Sequence, residues 1–152
     1  MRKNDLIALT HALSGAAAVI ASIMVKGQIR IPVEPIKSIG FAIFVLGCLV
    51  FAYALLFLRR AFTENIDPVS EKLVTGGPYR RVRHPVYLAM LVMSLGLAAG
   101  LRSWLGIALT VIVFFPLAVF RARLEEVALE NKFGQEWKAY LDHSHFIIPF
   151  FF

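Results

Sequence analysis

The chain has 152 residues, a formal net charge of +6, and a hydrophobic fraction of 59%. Its mean hydropathy of +0.71 is far above that of a water-soluble domain of this size, so lipid must be the solvent for much of the surface. The basic residues flank apolar segments and do not line a polar face, which fits anionic lipid headgroups and argues against nucleic acid as a partner.

The first predicted elements are two membrane-spanning helices. Leu6 to Val25 is an uncharged run of 20 residues, and its length and the lack of a convincing cleavage site favour a retained helix over a signal peptide. A basic connection that includes Pro35 follows, and Ile39 to Leu58 forms the second run. Cys48, the only cysteine, lies in that run, so disulfides and thiolate metal sites are excluded. Residues 1–60 are therefore predicted to form an N-terminal helical hairpin.

A long polar stretch, Ala61 to Pro85, comes next and is the first candidate for a functional site. It contains the turn residues Gly76–Pro78 and ends in the basic segment Arg80–His84. Glycines permit close backbone approach to a ligand, and the aromatic and histidine side chains can stack or hydrogen-bond. For the arginines alone, a turn with a positive membrane anchor is the favoured interpretation. It accounts less well for His84 and Tyr87, which are three residues apart at a predicted helix start and so share one face.

Two further helices are predicted after this loop. Val86 to Gly100 has only 15 residues, roughly 22 Å, and falls short of a ~30 Å hydrocarbon core, so it must tilt, thin the bilayer or dip without crossing. Ser103 to Phe120 is the fourth helix, with Pro116 as a possible kink, and the charged segment Arg121 to Asp142 continues from it. The predicted fold is an all-α membrane bundle of about four transmembrane helices, the third and fourth forming a short hairpin, plus a cytoplasmic C-terminal helical segment. Residues 1–152 form one domain, with 61–152 as its catalytic region.

The charged segment after Phe120 is the second candidate. Arg121 and Glu125 are four residues apart and share one helical face, whereas Glu125 and Glu126 point about 100° apart and should serve different partners. Carboxylates at a membrane boundary are costly unless they are partnered. A solvated amphipathic helix, with Phe133, Trp137 and Tyr140 in the interfacial belt, is an equally good interpretation of the pattern alone.

Lysine and arginine are distributed unevenly between the two predicted membrane sides. Most of the 16 lie at the N-terminus, in the segment 59–83 and after Phe120, and the other side holds only Lys26, Arg30, Lys37 and Arg102. Both termini and the central loop are therefore predicted to be cytoplasmic, so that the two charged segments face each other. The compactness of the chain suggests a prokaryotic plasma membrane.

The remaining polar residues give weaker signals. His11 lies near the start of the first helix, can reach the headgroup layer, and is interpreted as incidental. Asp142, His143 and His145 have a spacing that fits no strong ligand pattern, so no metal site is predicted.

Several separated motifs resemble the isoprenylcysteine carboxyl methyltransferase family, to which phospholipid methyltransferases are related. They are Leu-Val-Thr-Gly-Gly-Pro-Tyr (73–79), Arg-His-Pro-Val-Tyr (83–87), Arg121 with Glu125-Glu126, Phe133-Gly134 and a terminal Ile-Pro-Phe. The resemblance covers roughly the second half of the chain, and the first two helices carry no signature.

The resemblance implies that S-adenosylmethionine binds between the central loop and the C-terminal segment. The cofactor contacts that it implies are Leu73, Val74, Tyr79, His84, Pro85, Val86, Tyr87 and Glu125. Arg121 would face the substrate, and Arg83 and Glu126 are implied as further catalytic residues. Glu71 and Lys72 depart from the residues expected at their positions, so their cofactor contacts are not carried over.

The implied reaction is methylation of the carboxylate of an isoprenylated cysteine or a related isoprenoid lipid, which would enter laterally from the bilayer. Such an acceptor is ionised at neutral pH and needs no general base, whereas an amine acceptor arrives protonated and needs one, such as Glu126. The alternatives are therefore phospholipid (ethanolamine) N-methylation and, from another class, a non-catalytic membrane scaffold. The oligomeric state is not predicted.

Overall fold

The computed structural model describes residues 3–29, 33–58 and 72–148, which form helices and short connections. The helices in this part of the chain are α1 (Lys3–Met24), α2 (Val33–Leu58), α3 (Pro85–Gly100), α4 (Trp104–Phe133) and α5 (Gln135–Leu141). A single 3-10 turn, Gly77–Arg80, precedes α3. Glu71, the first half of the central loop and part of the terminal Ile-Pro-Phe motif lie outside the described residues. The predicted all-α fold is confirmed.

Three of these helices are long and apolar enough to cross a membrane. The candidate spans are Leu6–Met24, Glu34–Leu58 and Trp104–Phe133, with 19, 25 and 30 residues. α3 is apolar but has only 16 residues, which agrees with the short third helix expected from the sequence. Large aliphatic and aromatic side chains stay exposed on α1, α2 and α4, as a lipid-facing surface requires. The chain is therefore an all-α membrane bundle.

α2 begins earlier than predicted. It starts at Val33 and not at Ile39, so Pro35, which the sequence analysis assigned to a connection, lies in the first helical turn. The first backbone N–H groups of a helix have no intrahelical acceptor, so the missing N–H of Pro35 removes no helical hydrogen bond there. Glu34 also lies in this turn, where a negative charge is favoured by the helix dipole.

The bundle is built from two helix pairs. α2 packs mainly against α3, and α1 packs mainly against α4. Small residues allow the close approach: a Cβ on Gly96 would come within 2.5 Å of the Phe44 backbone nitrogen, and a Cβ on Gly106 would overlap the Ser22 hydroxyl. Ser14, Ala18 and Ser22 are buried along one face of α1.

α4 is continuous through Pro116, because a π-helical turn over Thr110–Phe114 precedes the proline. The Phe115 N–H donates to the Thr110 carbonyl five residues back, in place of the usual four. Pro116 has no N–H and its ring crowds the preceding turn, so a locally wider helix accommodates it.

The C-terminal tail returns to the segment before α3. α4 ends at Phe133, Gly134 adopts a positive φ of 51°, and the short α5 leads into the tail. His145 N donates to the Arg81 carbonyl (2.8 Å), Arg83 N to the His145 carbonyl (2.8 Å), and His84 N to the Phe146 carbonyl (3.1 Å). These bonds hold the basic segment against the C-terminal tail.

Candidate functional site

The two charged segments meet at one end of the bundle. We call the residues at this meeting the polar cluster: Arg83, His84, Tyr87, Arg121, Glu125 and Glu126. Arg83 and His84 precede α3, Tyr87 lies in its first turn, and the other three lie on the second half of α4. The prediction that the charged segments face each other is confirmed, and six of the residues implied by the family resemblance come together.

Glu125 is held by a residue from each of two helices. The Tyr87 hydroxyl donates to its Oε1 at 2.6 Å, and Arg121 Nε donates to the same oxygen at 3.2 Å. Its side chain keeps 22% of its surface exposed. Glu125 is thus an oriented carboxylate that a ligand can still reach.

Glu126 takes different partners, as its angle on the helix predicts. Arg83 Nε donates to Oε1 at 2.7 Å and Arg123 Nη1 donates to Oε2 at 3.0 Å, so each carboxylate oxygen has its own guanidinium. The side chains of Arg83 and Glu126 are 10% and 11% exposed. Arg123 also lies over the Phe146 ring, with 4.0 Å from Cζ to the ring centroid. Glu126 therefore joins α4 to the loop through Arg83, and Arg123 joins α4 to the tail through Phe146.

His84 lies between the two carboxylates. Its Nδ1 is 3.7 Å from Glu125 Oε2 and its Nε2 is 3.6 Å from Glu126 Oε1, both too long for hydrogen bonds. The ring is 6% exposed and packs edge-on against Phe146. Among the described residues Nε2 has no hydrogen-bond partner. A buried nitrogen without a partner is costly, and a bound ligand would relieve that cost.

Tyr79 lies in the 3-10 turn and is fixed by the tail and α5. The Tyr140 hydroxyl donates to the Tyr79 carbonyl oxygen at 2.5 Å, and Ser144 Oγ donates to the Tyr140 carbonyl at 2.6 Å. Burial raises the pKa of Tyr140 to about 12 and raises the pKa of Tyr79 above its ordinary value. Both phenols are therefore protonated at neutral pH, and the Tyr140 hydroxyl acts as a hydrogen-bond donor.

The other implied cofactor contacts lie near these residues along the chain. Leu73 and Val74 are partly buried in the irregular segment before the 3-10 turn. Pro85 is buried and Val86 is partly buried at the start of α3, where Pro85 occupies the expected first-turn position. Their roles remain predictions.

Several residues of the site were missed in the sequence. Trp137, assigned to an interfacial belt by the amphipathic-helix interpretation, is only 2% exposed, so that assignment is wrong. It lines an open pocket of about 430 Å³, together with Arg83, Arg123, Glu126, Val127, Glu130 and Leu141. The three-residue spacing of Arg123 and Glu126 on one helix could have indicated their ion pair. No local pattern could have indicated Ser144, whose carbonyl accepts from Arg83 Nη1 at 2.5 Å across 61 residues.

His11 was also misread. It is 3% exposed and does not extend outward, because its ring packs against Tyr87 and Phe114 with centroid distances of 5.3 and 5.0 Å. In the described part of the chain its Nε2 has no hydrogen-bond partner.

The comparisons with known proteins agree with these motifs. Among similar curated proteins are a "Probable protein-S-isoprenylcysteine O-methyltransferase" of Oryza sativa subsp. indica and "Protein-S-isoprenylcysteine O-methyltransferase B" of Arabidopsis thaliana, each 29% identical over 118 residues. The matched part is 76% of this chain but 62% and 60% of those proteins. The chain therefore spans about three fifths of the length of the curated relatives it matches.

A family model covers more than half of the chain. The model described as "Phospholipid methyltransferase" matches residues 36–136, from the start of α2 into α5, and includes all six residues of the polar cluster. The resemblance to isoprenylcysteine carboxyl methyltransferases noted in the sequence is confirmed, and the chain belongs to this phospholipid methyltransferase family.

Proposed function

We propose that this protein transfers a methyl group from S-adenosylmethionine to the carboxylate of an isoprenylated cysteine or a related isoprenoid lipid. The observation that carries the proposal is the polar cluster, in which the loop motifs and the α4 motifs of a methyltransferase family converge. The names of the similar plant proteins support the isoprenylcysteine acceptor.

The residues of the cluster fit a cationic methyl donor. S-Adenosylmethionine, when bound, supplies a methyl group on a positively charged sulfonium, together with an amino-acid moiety and an adenosine. Glu125 offers an oriented carboxylate for a cationic group, and the buried Nε2 of His84 offers a hydrogen-bonding atom without a protein partner among the described residues. Leu73, Val74, Tyr79 and the stretch His84–Tyr87 would line the same site.

Arg121 is proposed to hold the acceptor carboxylate. Arg121 is 9% exposed and lies one helical turn before Glu125. Its Nε donates a hydrogen bond to the Glu125 carboxylate. A guanidinium can bind a carboxylate through parallel N–H groups, which fixes the direction from which the acceptor approaches. Because opposite charges are neutralised as the methyl moves, orientation in a site that excludes water would supply most of the acceleration.

The partners of Glu126 favour a carboxylate acceptor over an amine. An amine acceptor must lose a proton to a base before or during transfer. Both oxygens of Glu126 accept hydrogen bonds from guanidinium groups, which stabilises the ionised carboxylate and makes it a weak base. Glu126 and Arg83 are therefore proposed to support the site and not to remove a proton.

Phosphatidylethanolamine is the second candidate acceptor. The description of the matching family model favours it. Either acceptor is amphiphilic, and we propose that it enters laterally between helices while the cofactor enters from the cytoplasm. A non-catalytic scaffold remains the proposal from another class, and it requires no cofactor binding.

Calorimetric titration of the purified, detergent-solubilised protein with S-adenosylhomocysteine tests cofactor binding. We expect saturable binding that Glu125→Gln weakens at least ~10-fold, because the variant keeps the shape of the side chain but removes its charge. Glu136→Gln, an equivalent change at an exposed position on α5, is the control and should bind like the wild type. Absence of saturable binding by the wild type would support the scaffold.

Transfer of labelled methyl from S-adenosylmethionine then separates the acceptors. Incorporation into farnesylated cysteine and not into phosphatidylethanolamine is expected. The reverse preference would replace the proposed acceptor with an amine.

A further inference from the structure

His11 is a buried polar residue on a helix that carries none of the family motifs. It lies on α1, and its ring is enclosed by Tyr87 of α3 and Phe114 of α4. Ser14, Ala18 and Ser22 continue the same buried face of α1, but the polar atoms of the two serines are bonded within the helix. His11 differs from them, because its Nε2 has no hydrogen-bond partner in the part of the chain that the structure describes.

An unpartnered buried nitrogen calls for an explanation. Burying such a group without a partner lowers the equilibrium constant for folding on the order of tenfold or more. Native structures contain few such groups. A phenylalanine would fill the same space between two aromatic rings without that cost. The ring nitrogen is thus unexplained by packing alone.

The position of His11 relates it to the polar cluster. Phe114 and Arg121 are seven residues apart on α4, which is about two helical turns, so they share one face. The His11 ring packs on Phe114, and so it lies on the face of α4 that also carries Arg121. It also contacts the Tyr87 ring, whose hydroxyl donates to Glu125.

His11 therefore lies where the apolar interior of the bundle meets the charged layer. A lipid-like acceptor with a carboxylate must place its apolar part on one side of such a boundary and its reacting group on the other. The carboxylate, being acceptor-only when ionised, needs donors around it. Arg121 supplies one set of donors, and the Nε2–H of His11 would supply another.

We propose that His11 is a specificity-determining residue of the acceptor site, where its Nε2–H donates a hydrogen bond to the acceptor carboxylate beside Arg121. This inference rests on the proposed function and adds to it a contribution from α1. The N-terminal helix is then part of the acceptor pocket as well as a membrane anchor.

Three substitutions test the role of the Nε2 atom. His11→Phe keeps the aromatic volume without a donor, His11→Gln places an amide nitrogen near the Nε2 position, and His11→Asn is one methylene too short to do so. We expect the Phe and Asn variants to raise the KM for farnesylated cysteine ~10- to 100-fold, the range of a lost hydrogen bond to a charged group. His11→Gln should stay within about threefold of the wild type.

Two controls separate this effect from a structural one. The affinity for S-adenosylhomocysteine should stay within about twofold in His11→Phe, since the phenyl ring keeps the packing against Tyr87, the implied cofactor contact that His11 touches. Ser22→Ala, on the same face of α1 and equally buried but already hydrogen-bonded to the Ala18 carbonyl, should leave the KM unchanged. A variant that disturbs the fold would also change the cofactor affinity. In that case His11→Gln would not restore the KM for farnesylated cysteine.

Direct binding of farnesylated cysteine, measured alongside turnover, distinguishes failure of this inference from failure of the proposed function. Wild-type turnover with an unchanged KM in His11→Phe would overturn the role of His11 and leave the methyltransferase intact. Binding without methyl transfer, weakened by His11→Phe and restored by His11→Gln, would support His11 while refuting the proposed reaction. A wild type that neither binds nor methylates this acceptor would overturn both.

Discussion

Glu125 and Glu126 are neighbours in the sequence, but each joins a different part of the site. Glu125 accepts from Tyr87 and Arg121, whereas Glu126 accepts from Arg83 and Arg123. The angle of about 100° between successive helical residues is sufficient to predict that their partners differ. It cannot predict which residues those partners are, because Arg83 and Glu126 are separated by 43 residues.

Arg83 illustrates why arginine and lysine are not equivalent in this cluster. Its Nε bonds Glu126 and its Nη1 bonds the Ser144 carbonyl, so one planar group links α4 to the tail. Lysine has a single ammonium and cannot reproduce this geometry. We expect Arg83→Lys to lower the free energy of unfolding by about 1–3 kcal/mol, measured by denaturant titration in detergent. Arg80→Lys, three residues away and exposed, should change it little, and an equal loss in both variants would contradict the assigned role.

The Tyr140 hydroxyl should give the protein a measurable pH dependence. Burial raises its pKa to about 12, above the ordinary value of 10.0, so the folded state holds this proton more tightly than the unfolded state. The contribution to stability is complete below pH 10 and is lost as the pH rises toward 12. Thermal melts between pH 9 and 11.5 should show a decline that is shallower in Tyr140→Phe than in the wild type. Parallel declines would show that this phenol does not titrate with folding.

Residues with strong local signals could be predicted, and residues with only long-range partners could not. His84, Tyr87, Arg121 and Glu125 stand in recognisable motifs, and the structure gathers them. His11 has no such motif, and its importance depends on burial between two other helices. A single histidine near the end of an apolar run looks the same whether it faces lipid headgroups or the protein interior.

The helices themselves were easier to predict than their ends. Apolar runs define α1, α2 and α4, and the short length of α3 is visible in the sequence. The start of α2 was missed because a proline was interpreted as part of a connection, although the first helical turn accepts proline. The π-helical turn and the pairing of the tail with the basic segment depend on packing, so no local pattern indicates them.

The close packing of α2 on α3 depends on glycine at position 96. A Cβ there would come within 2.5 Å of the Phe44 nitrogen and 2.9 Å of the Gly40 carbonyl oxygen, both backbone atoms. We expect Gly96→Ala to separate the helices and lower stability by about 1–3 kcal/mol, measured as a lower thermal midpoint in detergent. Gly100→Ala, on the same helix face, is the matched control, because its Cβ would meet nothing closer than 3.5 Å. If both variants melt alike, helix propensity and not contact explains the effect.

At the scale of the whole molecule, the N-terminal helices pack mainly against the described part of residues 61–152. α1 packs mainly on α4 and α2 mainly on α3, so each helix of the predicted N-terminal hairpin has its chief partner in residues 61–152. The far ends are joined as well, because Gly27 N donates to the Leu101 carbonyl and Ile29 N to the Arg102 carbonyl. The assignment of residues 1–152 to a single domain stays a prediction.

The two ends of the bundle differ in charge and in predicted location. The polar cluster and α5 lie at one end, and residues 25–29 with the α3–α4 turn lie at the other. Because lysine and arginine are retained on the cytoplasmic side, the cluster end should face the cytoplasm, where a soluble cofactor is available. The orientation therefore bears directly on how the site obtains its methyl donor.

Single cysteines introduced at the two ends test this orientation. In a Cys48→Ala background, which removes the only native thiol, Lys26→Cys and Lys138→Cys place thiols at exposed positions on opposite ends. A membrane-impermeant maleimide applied to intact cells should label Lys26→Cys at once and Lys138→Cys only after the membrane is permeabilised, because the distribution of lysine and arginine predicts that the cluster end faces the cytoplasm. The opposite pattern would place the polar cluster on the outer side, away from cytoplasmic S-adenosylmethionine, and would contradict the proposed route of the cofactor.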